Sequence, residues 1–309
     1  MKKVLFVGGS SLLAINWAQL IKARYRPVLN IHKRSIALPS IDTCQLNLMN
    51  SEVLALQIAS INPSFIVNAA ALANVDLCES NEQGAIASNV FVAEVVAAAS
   101  NKLNIPLIHV STDQIFDGKI AFANEMSKPN PLNIYGKTKL DGEIQVVKSN
   151  PRSLIIRTNF YGWGPLFRQS FSDYIIHSLR NAREIYLHND VHYTPILIES
   201  LVKCVHSLIE LNAVGIYHIV GNERITKYDF GVKLAQRFDL DANYIKGRAY
   251  KNQINTDNAI VHRPLDMSLS NKKLMNLIPT DFIGSIDEQL AILLLQENST
   301  ETLQIRSLN

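Results

Sequence analysis

Cysteine is scarce. The 309 residues carry only three, Cys44, Cys78 and Cys204, odd in number and far apart. That excludes a disulfide framework, and the spacing fits no metal-ligand pattern, so no metal is expected. Reduced thiols in a cytoplasmic protein are the reading that remains. Charge of one sign is lacking as well. Thirty Lys and Arg against 27 Asp and Glu leave a formal charge of +3. With no dense basic run, no nucleic-acid surface is expected. No apolar run approaches the roughly 20 residues of a membrane span, so no membrane is expected either. The N-terminus, MKKVLFVGGSS, begins like a secretion signal, but its short apolar core runs straight into glycines and reads instead as a first strand. Internal repeats and low-complexity tracts are missing. What is left is an ordinary globular composition, 47% apolar and 18% charged, in a chain longer than one compact core usually holds.

The first strand, Lys3 to Val7, leads through Gly8-Gly9-Ser10-Ser11 into a helix with apolar periodicity over Leu12 to Tyr25. Strand, glycine turn and helix N-terminus together present bare backbone N–H groups to an anion, which is the geometry of a phosphate site. The spacing is that of Gly-x-x-Gly-x-x-Gly, filled here by Gly8, Ser11 and Ala14. A second strand, Pro27 to Ile31, ends at His32-Lys33-Arg34 with no Asp or Glu. An acid at this place bonds an adenosine ribose, whereas a cation accommodates a 2′-phosphate, so NADP is favoured over NAD. A solvated surface turn would carry the same residues. A third strand is expected over Ile41 to Leu46, a helix over Ser51 to Ser60, and a fourth strand over Ser64 to Asn68. Ala69-Ala70-Ala71 at its end are small enough to let a flat cofactor reach the backbone. A long alanine-rich helix is expected over Asn81 to Asn101.

The chain is organised around the next stretch. Ile105 to Val110 is a short, continuously apolar run, the pattern of a buried parallel strand. It ends at Ser111-Thr112-Asp113, and in an open α/β sheet ligands bind at that carboxyl end. Further on, Tyr135 and Lys139 stand four apart, one turn apart on one face of a helix. A free tyrosine, with a pKa of about 10, is a poor acid at neutral pH, and a neighbouring ammonium pulls it toward neutrality. Thr112 would hold a substrate carbonyl while Tyr135 protonates it.

Another buried strand is expected over Ser153 to Arg157. Beyond Thr158 a glycine- and aromatic-rich loop, Asn159 to Pro165, is a substrate wall or a set of turns. Helices are expected over Ser172 to Asn181, Ile198 to Glu210, Tyr228 to Phe238 capped by Thr226, and Ser285 to Gln296. Gly215 to Val220 reads as a further strand, Asn243 to Arg263 as a polar surface segment, and the tail as frayed. The fold class is α/β: a Rossmann doubly wound parallel sheet over 1–158, with a smaller, interleaved C-terminal substrate-binding domain over 159–309 and segments near 190–220 returning to the first.

These residues carry a resemblance. VNAAALANVDLCESN, VSTDQIFDG, YGKTK, IRTN, DVHYTPI and GIYHIVGNERITKYDFGVKLAQRF follow one another in order. They resemble the extended short-chain dehydrogenase/reductases, and within them the dTDP-4-dehydrorhamnose reductase branch. The resemblance implies an NADPH-dependent reduction of a nucleotide-linked 4-keto-6-deoxysugar, with Thr112, Tyr135 and Lys139 as catalytic trio and Lys139 also on the nicotinamide ribose. It places Gly8, Ser11 and Leu12 at the pyrophosphate, with Ala69, Ala70, Ala71 and Asn89 along the cofactor. Ser111, Asp113, Asn159, Trp163 and Arg263 would face the sugar nucleotide. Asn47 stands where the family commonly has an acid near the adenine. A 4-epimerase of the same family and a non-catalytic, NADP-bound regulatory subunit are the alternatives. A dehydratase is disfavoured, because Gln114 stands where that reaction has a glutamate base. Relatives that pair helices like 81–101 and 134–147 across a two-fold imply a homodimer.

Overall fold

A computed structural model describes residues 1–32, 34–251 and 261–308. Lys33, one of the expected cofactor contacts, and part of the polar segment 243–263 lie outside the described residues. The strands of the first half are β1 (Lys3–Val7), β2 (Arg26–Asn30), β3 (Asp42–Cys44), β4 (Pro63–Asn68), β5 (Leu107–Thr112) and β6 (Leu154–Thr158). Four short strands follow: β7 (Phe160–Tyr161), β8 (Ile185–His188), β9 (His192–Tyr193) and β10 (Ile196–Leu197). The last three are β11 (Gly215–His218), β12 (Ile225–Thr226) and β13 (Ile245–Arg248). Seven form one sheet in the order β11-β6-β5-β4-β1-β2-β3, every pair parallel. The chain builds outward from β1 to β3, then returns to lay β4 on β1's other edge. The order therefore reverses between β1 and β4, and their carboxyl ends frame the crevice where such sheets take ligands.

Helices cover both faces. α1 (Leu12–Ile21), α2 (Ser51–Ile61) and α3 (Val75–Ser80) are followed by α4 (Glu82–Ile86), which runs through a π-turn, Ala87–Phe91, into α5 (Val92–Lys102). α6 (Ile134–Ser149) lies beside α5, while α7 (Phe171–Arg180) belongs to the second core. α8 (Ile198–Glu210) packs with α1 on the opposite face, and α9 (Lys227–Arg237), α10 (Lys272–Met275), α11 (Ile286–Gln296) and α12 (Thr300–Arg306) complete the chain. Two apolar clusters sandwich the sheet. A third, built from Tyr161, Trp163, Phe230, Leu234 and Leu290 among others, forms a separate core under β8 and β13. α8 and β11 belong to the large sheet's core, not to that second one.

Several boundaries differ from the sequence pattern for local reasons. α1 stops at Ile21 rather than Tyr25. α2 is capped by Asn50, whose side chain accepts from Glu52 and Val53, so Ser51 is inside the helix. The expected single helix over 81–101 is interrupted by the π-turn that carries Asn89. The span Glu82–Lys102 is long and apolar enough, taken alone, to cross a membrane, although 44% of the window is buried. Its apolarity is mostly alanine and valine packed on α2, α6 and the sheet. The tail is not frayed: Ser299 caps α12, and Thr302 and Ile305, three apart, bury against the first core beside α1.

Candidate active site

The glycine turn is shaped by contact, not only by flexibility. Gly8 has φ +81°, and a Cβ there would stand 2.5 Å from the Ala70 nitrogen. The loop after β4 is pinned alongside, because the Ala69 amide donates to the Val7 carbonyl (2.9 Å). Ser11 then caps α1 by accepting from Ala14 at 3.1 Å. The amides of Leu12 and Leu13 have no helical acceptor and remain available to an anion. Bare backbone, a helix N-terminus and no acid in the turn fit a dinucleotide pyrophosphate. At the end of β2, His32 and Arg34 are exposed. The Arg34 guanidinium lies 4.0 Å over the Phe167 ring. Asn47 is exposed beyond β3, its side-chain oxygen taken by the Met49 amide at 2.9 Å.

At the end of β5, Thr112 accepts from the Gln114 amide (3.2 Å) and donates to Asp113 (3.1 Å). The Tyr135 side chain neighbours Thr112, whose hydroxyl favours the ionised phenol. Tyr135 starts α6, which Asn133 caps by accepting from Gly136 at 2.8 Å. Gly136 lets that first turn press on the Gln114 carbonyl, where a Cβ would clash outright. Lys139 is buried, and its Nζ donates to the Val110 carbonyl at 2.7 Å.

The expected tuning of the phenol is absent in this state. Burial pushes Tyr135 up to about 12; the Thr112 hydroxyl opposes this, as does the more distant Arg168, while Asp113 and Cys78 push the same way. The Lys139 ammonium is turned to the Val110 carbonyl and does not offset that burial. Burial instead brings Lys139 itself down to about 8, against the pull of Glu143. Tyr135 is therefore a protonated donor throughout the neutral range.

Not every expected contact faces open space. Ser111 donates to Glu143 at 2.5 Å beneath α6 and is buried, so it is not available to a substrate. Asn89 is 1% exposed; it accepts from the Leu72 amide and donates to Thr138 at 3.0 Å, tying the loop after β4 to α6 rather than touching a cofactor. Trp163 is 2% exposed. Its indole N–H donates to the Leu293 carbonyl at 2.9 Å, so it is core of the second cluster and not a substrate wall. Asp113 and Asn159 do meet, Asn159 donating at 2.6 Å.

Next to them opens a cavity of about 230 Å³, lined by Gln114, Asn159, His188, Lys227, Tyr250 and Arg263 among others. Arg263 is held at its edge by a bidentate pair with Asp76, 2.8 and 2.9 Å. Lys227 was not singled out by the sequence, yet it is the cavity's most informative residue. Its ammonium sits 4.7 Å over Phe171 and 4.5 Å over Tyr193. Burial lowers it to about 8, opposed by Asp113. Among the described residues, Gln114 Oε1 and His188 Nδ1 are buried there without partners, as is the hydroxyl of adjoining Tyr193. The available signal was position: Lys227 opens α9, where the helix dipole disfavours a cation. Burial also raises Asp113 to about 6, against its hydrogen bonds from Asn159 and Thr112 and the charge of Lys227. A larger hollow, about 590 Å³, lies at the opposite, amino end of the sheet beside Phe65, Pro106 and Leu154, far from these groups.

The buried histidines set an acid limit. Burial brings His206 down to about 4 and His218 to about 3, and lowers His109 well below its usual value. Each binds a proton in the unfolded chain before it does in the folded one, so stability falls as pH drops below about 6.5. Asp113, between about 6 and 3.8, and Asp173 act in the opposite sense, while His188, lowered by burial, adds to the histidines. The melting temperature is expected to fall by several degrees between pH 7 and pH 5, and a flat profile in a differential scanning experiment would contradict these assignments.

The fold and this crevice define an α/β protein of the dinucleotide-binding Rossmann class. A family model described as "RmlD substrate binding domain" matches residues 1–290, and the chain belongs to that family. It is 30% identical over 207 residues to the probable low-salt glycan biosynthesis reductase Agl14 of Haloferax volcanii, covering 65% of this chain and 69% of that protein. It is 32% identical over 197 residues to the dTDP-4-dehydrorhamnose reductase of Escherichia coli, 62% of this chain and 65% of the other. Methionine adenosyltransferase 2 subunit beta of Xenopus laevis is also similar, at 30% over 209 residues, 65% and 62% of the two chains. Among solved structures, the hypothetical dTDP-4-dehydrorhamnose reductase of Sulfolobus tokodaii superposes with TM-score 0.79 at 28% identity, over 93% of this chain and 98% of that one. The Bacillus anthracis reductase in complex with NADP gives TM-score 0.81 at 22% identity, over 96% and 99%.

Proposed function

We propose that this protein is an NADPH-dependent reductase of a nucleotide-linked 4-keto-6-deoxysugar, with Thr112, Tyr135 and Lys139 as its catalytic trio. The observation that carries the reading is the placement of Tyr135 and the buried Lys139 one turn apart on α6, with Lys139 bonded to the Val110 carbonyl two residues before Thr112 at the end of β5. Reductase relatives and the NADP-bound neighbour support it. The cofactor, when bound, supplies the hydride. Gly8, Ser11 and Leu12 would hold its pyrophosphate, Ala69, Ala70 and Ala71 its flank, and His32, Lys33 and Arg34 a 2′-phosphate. Thr112 would fix the ketone oxygen and Tyr135 would deliver a proton to it. Asn159 and Asp113 would bond sugar hydroxyls, while Lys227 and Arg263 would meet the substrate's negative charge. Such chemistry belongs in the cytoplasm, and Cys44, Cys78 and Cys204 are all unpaired. We infer a homodimer as well, since Ile144 and Val147 leave an apolar stripe exposed on α6; sedimentation as a monomer would remove that part.

The test is NADPH oxidation over a panel of dTDP- and GDP-linked 4-keto-6-deoxysugars, with NADH in parallel. Turnover with one of them, favouring NADPH, is expected, and no turnover across the panel would overturn the assignment. In the same assay Lys227→Met is expected to raise KM about 10- to 100-fold with a smaller change in kcat, because it deletes a charged contact present in ground and transition state alike. An unchanged KM would remove Lys227 from the substrate site.

One observation favours a second reading. Methionine adenosyltransferase 2 subunit beta resembles this chain as closely as the enzymes do, so a cofactor-bound regulatory subunit is the rival. Co-purification of an unrelated enzyme at fixed stoichiometry, activated equally by Tyr135→Phe protein, would favour it.

A further inference from the structure

Beneath the Tyr135–Lys139 turn the α6 stripe continues to Glu143, four residues on and 2% exposed. Its carboxylate is fully engaged. Arg157 of β6 donates through Nε at 3.0 and 3.2 Å and through Nη2 at 2.7 Å. Ser111 of β5 donates at 2.5 Å. Arg157 in turn meets His218 of β11 at 3.3 Å, and His218 reaches the Ala123 carbonyl at 3.1 Å. One carboxylate thus ties the helix that carries Tyr135 and Lys139 to the ends of three adjacent strands. Ser111 and Val110, the two residues that precede Thr112, are both held from α6, by Glu143 and Lys139 respectively.

The charges facing Lys139 can be taken element by element. From β5 comes His109, buried and kept neutral by burial and by Lys139 itself. Farther along the cluster, Arg157 of β6 is paired with Glu143, and burial brings His218 of β11 down to about 3. Asp113 lies past the strand end, beside Tyr135. On α6 only Glu143 opposes the burial that strips Lys139 of its proton.

We propose that Glu143 is a positioning residue for the active site: clamped by Arg157 and Ser111, it seats α6 on the end of β5 and fixes a negative charge one helical turn from Lys139. A carboxylate invested only in the helix–sheet joint would not need to act on Lys139. The inference rests on the functional reading for its purpose, but its test does not.

The test is direct titration of Lys139 by NMR of the free protein labelled with ¹³C at lysine Cε, with Lys139→Arg identifying the resonance. In the wild type the midpoint is expected near 8. Glu143→Gln keeps an acceptor for Arg157 and Ser111 but deletes the charge, so the midpoint is expected to fall by on the order of one pH unit. The double variant Glu143→Gln/Arg157→Met removes both charges of the buried pair, folds more readily, and is expected to lower the midpoint by less than Glu143→Gln, because the two charges act on Lys139 in opposite senses. Glu143→Asp is expected to restore part of the shift. If substrate turnover is found, the alkaline limb of kcat/KM should move down with the titration, and if none is found the NMR midpoint still decides. An unchanged Lys139 midpoint in a folded variant would overturn the proposal.

Discussion

Tyr135→Phe is expected to lower kcat by about 10²- to 10⁴-fold while leaving the cofactor's Kd within a few-fold. The substitution deletes one hydroxyl beside Thr112 and keeps the ring. The residue is only partly buried. One neutral hydrogen bond is worth about 1 kcal/mol, so folding should survive and the melting temperature should move little. Because the phenol is pushed up to about 12, ionisation of Tyr135 should not shape the pH profile of the reduction below pH 9. An alkaline limb near 8 would instead belong to Lys139. Stopped-flow measurement of the hydride step with the wild-type protein and the Tyr135→Phe variant separates these effects. Retention of more than a tenth of the wild-type rate would remove Tyr135 from the proton-donor role.

The second large effect is on stability. Arg157→Met leaves the Glu143 carboxylate, whose side chain is 3% exposed, without its counter-ion. Breaking a buried pair from one side costs about 3–5 kcal/mol, because the remaining charge is neither solvated nor compensated. In a chain of this size that is a fall in melting temperature of roughly 10 °C. Arg157→Met/Glu143→Leu removes both charges and should recover most of the loss, since replacing the whole pair by apolar groups is often neutral. If the double variant melts no higher than the single one, the destabilisation comes from lost packing around Phe116 and His218 instead.

Local pattern revealed the sheet and the helix that carries Tyr135 and Lys139, because both are written in short stretches. The buried strands are continuous apolar runs, and Tyr135 and Lys139 share one helix. Contacts between distant segments were harder to read. Ser111 and Thr112 are adjacent hydroxyls, but only the fold shows that the first belongs to Glu143 beneath α6 and the second to Asp113 at the strand end. Trp163 sits in a glycine-rich loop that resembles an exposed wall. Its ring nevertheless fills the second core beside Phe238, 5.9 Å away. Lys227 stands far along the chain from Asp113, and only the cavity joins them. The charge argument for Tyr135 failed for a related reason: sequence spacing places Lys139 one turn away but says nothing of Val110, whose carbonyl takes the ammonium.

Isotope transfer addresses the central claim most directly. The protein would be incubated with NADPH carrying deuterium at both C4 positions of the nicotinamide and the nucleotide-linked 4-keto-6-deoxysugar that gives turnover, and the product read by NMR. The account predicts one deuterium at C4 of the sugar, matched by one equivalent of oxidised cofactor, and its near-complete loss with Tyr135→Phe. A C4 centre free of label, or inverted sugar without net cofactor oxidation, would contradict it.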